Sequence, residues 1–146
     1  MASIQVEVVS PERVSYTGTA KMVIARTTAG DIAFLPGHIP FIGVLQTHPV
    51  RILDEDDVMQ CVAVHQGFVE VSPPDAEGNT RVTILSDICE MADTIDVRRA
   101  ERARDAATKL LAADPDDAEA ADALDRAEVR LEVAGHPRDG SVRSHH

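Results

Sequence analysis

Arg99, Arg126 and Arg130 are the side chains whose type and spacing best suit chemistry on an anion. Arg126 and Arg130 lie four residues apart, so a helix presents both on one face. Guanidinium groups bind phosphate oxygens in a two-pronged geometry. If the segment carrying Arg99 folds back against the other two, all three converge on one anion. The same charges admit a plainer use. Residues 95–112 hold five basic side chains (Arg98, Arg99, Arg102, Arg104, Lys109) against three acids, a net of +2, whereas residues 114–134 hold eight acids against Arg126 and Arg130, a net of −6. Pairing between two solvated faces fits that asymmetry as well, each pair adding little. Spacing alone leaves both uses open.

The histidines are weaker candidates. His38, His48 and His65 could form a zinc site, and with it a small metal-dependent enzyme, only if the fold gathered all three; no Cys, Asp or Glu recurs near His38 at ligand spacing. A hydrogen bond from His38 to a neighbouring loop is the simpler expectation. Asp54-Glu55-Asp56-Asp57 lacks the spaced ligands and glycine of a calcium loop and reads as a solvated hairpin turn. Cys61 and Cys89 form no C-x-x-C motif and sit among apolar residues, as buried free thiols of a reducing compartment do.

These residues need elements to hold them. The chain has 146 residues, enough for one modest core, and with 3% aromatics and no Trp that core must be Val, Ile, Leu and Ala. A formal charge of −11 argues against nucleic acid and against an anionic membrane surface. No run approaches the roughly 18 apolar residues of a membrane span, so direct membrane insertion is not expected. The acidic start MASIQVEVVSPE is unlike a signal peptide, and a cytosolic, unprocessed protein is expected.

Composition changes near Ala92, from β-branched residues with Gly/Pro turns to Ala, Arg, Asp and Glu. Residues 1–92 read as an all-β sandwich or flattened barrel of eight to ten short strands. Residues 3–9 alternate in hydrophobicity, followed by strands at 14–16, 20–26, 31–35, 41–45, 50–53, 58–64, 68–71 and 80–85. Gly30 to Pro40, GDIAFLPGHIP, is the stiffest stretch: an apolar run expected as a buried strand, fenced by Gly30-Asp31 and Pro36-Gly37.

Residues 93–134 read as a C-terminal antiparallel α-helical hairpin. Asp93 or Thr94 would cap the first helix, with Ala100, Ala103, Ala107 and Leu110 as its apolar stripe. Asp114-Pro115-Asp116-Asp117 would open the second with proline at its first position, Ala120, Leu124, Ala127, Leu131 and Ala134 repeat the stripe, and Gly135 ends it. Alanine stripes bury little apolar area, so the hairpin should be marginal and able to open. Residues 135–146 are expected to be a disordered tail.

The order of parts, with a G-x-I-x-x-L-P-G-H-x-P segment in the sandwich and Ile95-Asp96-Val97-Arg98-Arg99-Ala100 at the hairpin start, resembles the epsilon subunit of the F-type ATP synthase. The resemblance covers about residues 3–134. It implies an ATP site at Asp96, Arg99 and Ala100, joined by Arg126 and Arg130 in DRAEVRL and by Glu90 upstream. It departs at Ala106, where a further basic residue would be expected, seven positions after Arg99. The implied protein is a non-catalytic central-stalk subunit that couples rotation to ATP synthesis. Its partners would be the gamma subunit and the c ring, and the alpha/beta catalytic head when the hairpin extends and blocks hydrolysis. ATP would be a regulatory ligand, with no cofactor required, and the location would be the cytoplasmic face of the bacterial plasma membrane. A free-standing nucleotide-sensing or protein-binding module of the same architecture is the alternative.

Overall fold

The computed structural model describes residues 2–135 of the chain. Nine strands precede two helices: β1 (Ile4–Ser10), β2 (Arg13–Thr27), β3 (Gly30–Phe34), β4 (Phe41–Leu45), β5 (His48–Asp54), β6 (Met59–Val64), β7 (Gly67–Val71), β8 (Thr80–Leu85), β9 (Cys89–Met91), α1 (Val97–Ala113) and α2 (Ala118–Ala134). A 3₁₀ turn at Ala92–Thr94 joins the two parts. The all-β sandwich and the helical hairpin are both present. Of the tail expected at 135–146, residues 136–146 lie outside the described residues.

The strands form one sheet of order β1-β8-β7-β4-β2-β5-β6-β9, with β3 also on β2. The sheet folds over on itself through β2, whose first half pairs antiparallel with β1 and whose second half pairs with β3 and β5. A register shift between Ala20 and Met22 marks the handover. Such an irregularity bends a strand from one layer toward the other. Strands expected separately at 14–16 and 20–26 are therefore one strand of 15 residues, because Thr17, Gly18 and Thr19 continue the ladder against β1. The alternation read in β1 is real: Ile4, Val6 and Val8 are buried, and the parallel neighbour β8 buries Val82 and Ile84. Phe34, Leu45 and Ile52 fill the rest with valines. Each such side chain adds about 1.5–3 kcal/mol when fully buried.

The GDIAFLPGHIP stretch differs from expectation. Only Phe34 is fully buried; Ile32 is half-buried, and Ala33 and Leu35 are exposed. Strand β3 pairs with β2 alone, so only one of its faces meets the core. Beyond it, Gly37 takes a positive φ of 84° and its N–H donates to Thr80 Oγ1 at 2.9 Å. His38 bonds within its own loop, Nδ1 to the Ile39 carbonyl at 2.7 Å, and its ring meets Phe34 edge-on at 5.0 Å. Cys89 is buried but Cys61 only half-buried, both free, and burial raises both thiols. The acidic turn is organised by Asp54, whose Oδ1 accepts from the N–H of Asp56 and of Val58 while Oδ2 accepts from Gln60 Nε2.

Both helix starts lie later than expected. Asp96, not Asp93 or Thr94, caps α1, and Asp117 caps α2; each carboxylate accepts from the N–H three residues on. Pro115 therefore sits in the interhelical turn, where Asp114 accepts from the Asp116 and Asp117 amides. Ala100 and Ala107 of α1 and Ala120 and Ala127 of α2 are all buried, and the two helices pack together as a hairpin. Leu110 is 55% exposed, outside the stripe expected of it. Helix α2 has a second apolar edge: Val129 and Val133 pack with Ala63 and Ile95 to seat it on the sandwich.

Candidate functional site

The six residues implied for an ATP site fall around the junction of sandwich and hairpin. Glu90 stands on β9, an edge strand three residues long that pairs only with β6, so its carboxylate is brought beside α2. Arg130 reaches it from α2, Nε to Oε1 at 2.7 Å. The same oxygen accepts from His65 Nε2 at 2.9 Å. The hydrogen bond from His65, and then that from Arg130, hold the Glu90 carboxyl down to about 2 against burial, which pushes it up.

The remaining members are differently placed. Asp96 is committed to its cap, accepting from the Arg99 N–H at 3.1 Å. Ala100 is buried in the helix contact. Arg99 is exposed and Arg126 half-buried, and among the described residues neither guanidinium has a hydrogen bond or ion pair. The structure thus joins Glu90 to Arg130, leaves Arg99 and Arg126 unpartnered on their two helices, and draws no ion pair between α1 and α2 among the described residues. The expected pairing of helix faces is not seen; the one cross-element ion pair of the hairpin among the described residues runs to the sandwich instead. Two unpaired arginines at a helix hairpin can bind an anion without first breaking a salt bridge.

Sequence reasoning does not place His65 at this junction, since by spacing it is one of three scattered histidines. A signal exists in Glu90 itself. A lone acid flanked by Ile88, Cys89 and Met91 on a half-buried strand needs a cation or donor to offset its desolvation. The three histidines have separate surroundings: His38 lies against Phe34 and Phe41, His48 pairs with Val64 across β5 and β6, and His65 holds Glu90. Among the described residues no group of three His, Cys, Asp or Glu side chains could hold a metal.

Two other surfaces stand out, and Val44, Phe68 and Leu85 belong to both. A cleft of about 1030 Å³ opens between α2 and one end of the sandwich, with Arg26, Gln46, Asp122 and Asp125 in its wall. Arg26 is already paired with Asp31 and α2 contributes acids, so this cleft suits a polyphosphate poorly, and none of the six implied residues lines it. Val44, Phe68 and Leu85 are neighbours across β4, β7 and β8, and together with Ile42 they form an exposed apolar row. Contiguous exposed apolar surface of this kind marks a docking face. No helix among the described residues is long and apolar enough to cross a membrane.

The ionised Glu90 makes a pH prediction. Its folded value lies below the ordinary 4.5, so its contribution is full above about pH 5 and is lost as pH falls toward about 2. Amide exchange in α2 should quicken on that descent relative to exchange in β1. The excess should shrink in Glu90→Gln; an equal excess in the variant would show that other carboxylates set the acid response.

Comparison with known proteins gives one family. Residues 3–92 match the family described as ATP synthase, Delta/Epsilon chain, beta-sandwich domain. The chain is 42% identical over 130 residues to the ATP synthase epsilon chain of Streptomyces griseus, spanning 89% of this chain and 94% of that one. It is 46% identical over 111 residues to the epsilon chain of Brevibacillus brevis, spanning 76% and 80%. It is 38% identical over 137 residues to that of Shouchella clausii, spanning 93% and 98%. Among solved structures, a chain of the Euglena gracilis mitochondrial ATP synthase (OSCP/F1/c-ring) has the same fold, with a TM-score of 0.74 at 21% identity, covering 93% of this chain and 83% of that one.

Proposed function

Because the chain belongs to the ATP synthase delta/epsilon family, whose similar members are named epsilon chains, we propose that it is the central-stalk subunit that couples rotor rotation to ATP synthesis and restrains ATP hydrolysis through its C-terminal hairpin. As an epsilon chain it is an accessory subunit without catalysis of its own. The sandwich is the fixed part. Its exposed row of Ile42, Val44, Phe68 and Leu85 supplies a face for the gamma subunit, and the exposed tip at Leu35 and Ile39 a contact for the c ring. The protein then works peripherally, at the cytoplasmic face of a bacterial plasma membrane.

The observation that carries the regulatory part is how thinly the hairpin is seated. Its apolar contact with the sandwich consists of buried Ala63, Ile95, Val129 and Val133 with half-buried Cys61, Ala92 and Ala134 packed against them, and none of these is aromatic. An element so held needs only a small differential affinity to change state. ATP supplies it by bridging the two helices. The positions implied for that site are Glu90, Asp96, Arg99, Ala100, Arg126 and Arg130, of which Arg99 and Arg126 have no guanidinium partner among the described residues. ATP bound across them favours the folded hairpin; without it the hairpin extends toward the alpha/beta head. The absence of a base at Ala106 makes Arg99 and Arg126 the more important.

The test is ATP hydrolysis by the assembled catalytic head, with the full chain and with a chain stopped at Ala92, over a range of ATP concentrations. Truncation should raise the rate most at low ATP. Arg99→Ala and Arg126→Ala should each weaken the ATP response about tenfold or more, since a hydrogen bond to a charged group is worth about 1.5–3 kcal/mol. Equal rates for both chain lengths would leave the protein a coupling element only. Loss from the purified synthase would favour a free-standing module of the same architecture.

A further inference from the structure

Glu90 sits where three parts of the molecule meet: edge strand β9, the β6–β7 turn that carries His65, and α2. Its Oε1 accepts both bonds, from His65 Nε2 and from Arg130 Nε. The His65 side chain is 3% exposed, against 22% for Glu90 and 26% for Arg130. The imidazole is thus the fixed member and the carboxylate the one that faces the helix. With Glu90 ionised, Nε2 must carry the hydrogen, and in the neutral ring Nδ1 is then an acceptor; among the described residues Nδ1 is buried with no partner. The turn beneath the ring is pinned as well. Ser86 Oγ lies within hydrogen-bond distance of the carbonyls of His65, Gln66 and Ile88.

We infer that His65 is a positioning residue that aims Glu90 at α2 as a latch, so that Arg130 ties the hairpin to the sandwich without any ligand. The latch deepens the reading of the hairpin as a movable element and rests on it. Glu90 and Arg130 thus hold the ligand-free folded form, in which Arg99 and Arg126 have no partner among the described residues. The latch also adds a polar tie to an apolar contact built from small and medium side chains. Truncating either partner leaves the other charge half-buried and unpaired, so each single change costs more than the pair itself contributes. The two changes should therefore not add.

Amide exchange of the full chain tests this, with and without ATP. Glu90→Gln and Arg130→Gln should each speed exchange in α2 about tenfold while β1 and β8 stay unchanged, and the double variant should match the singles. His65→Leu should do the same, and His65→Gln, whose amide nitrogen can replace Nε2 as donor, should restore slow exchange; a merely structural role for His65 would loosen β1 and β8 too and would show no such rescue. If His65→Leu does not fold, the Glu90 and Arg130 variants, which lie outside the core, carry the test. Additive singles, or α2 exchange unchanged in both, would overturn the latch. In the ATP arm, Arg126→Ala should lose the ATP-induced protection while keeping the slow ligand-free exchange of the wild-type chain. Loss of the ATP effect in Arg130→Gln with ligand-free exchange unchanged would make Arg130 a phosphate ligand and the latch wrong. No ATP effect in the wild-type chain would overturn the nucleotide reading, with the latch still decided by ligand-free exchange.

Discussion

Gly67→Ala should lower the unfolding temperature by roughly 10 °C or more, corresponding to a loss of about 3 kcal/mol at about 3 °C per kcal/mol for a chain of this size. A Cβ at Gly67 would lie 2.1 Å from the Leu85 carbonyl oxygen and 3.0 Å from both the Leu85 carbonyl carbon and Ser86 Cβ. Two of those atoms are backbone, on the strand that pairs with β7, so they can retreat only by breaking the Phe68–Leu85 register. Gly43 is the control. A Cβ there would meet the Phe41 ring at 2.6 Å, which is the far end of a side chain that can turn aside, so Gly43→Ala should cost far less. Thermal unfolding followed by circular dichroism separates the two. A Gly67→Ala protein as stable as wild type would mean that β7 and β8 slide freely, and the exposed row of Phe68 and Leu85 would then be no fixed docking face.

Phe34→Ala should cost about 3–5 kcal/mol, the usual range for emptying a fully buried aromatic site. Phe34 is among the largest wholly buried side chains, and its ring also supports His38 and Phe41, the latter at 5.8 Å. Two effects should therefore appear together: a lower melting temperature, and faster exchange in residues 35–40, whose turn leans on those rings. Phe34→Leu, which refills most of the volume, should recover much of the first. If the 35–40 loop stayed as ordered as before, Pro36, Gly37 and the Thr80 bond would be its main support, and Phe34 would be core alone.

Much of this protein is legible in its sequence because the signals are local. Alternating apolar residues at Ile4, Val6 and Val8, Gly/Pro punctuation around GDIAFLP, and the change to Ala-rich composition after Ala92 each depend on near neighbours in the chain. They are enough for a sandwich followed by a helical hairpin, and the motifs in those parts are enough for the family. Finer local choices are harder. The start of α1 moves to Asp96 because Asp93 and Thr94 belong to a 3₁₀ turn that carries the chain off β9, and that turn depends on where β9 ends.

What the chain by itself determined was which residue types stand at which spacing: arginines four apart on one helix, a lone acid in an apolar strand, an alanine stripe along each helix of the hairpin. Only the tertiary structure decided their partners. β9 is too short to announce itself, yet its pairing with β6 brings Glu90 within reach of both His65 and Arg130, residues 25 and 40 positions away. That meeting gives Arg130 a carboxylate partner, while among the described residues Arg99 and Arg126 have none. The physical reason is that charge pairing falls off over a few ångströms of space whatever the separation along the chain, and a half-buried carboxylate accepts whichever donors the fold delivers to it.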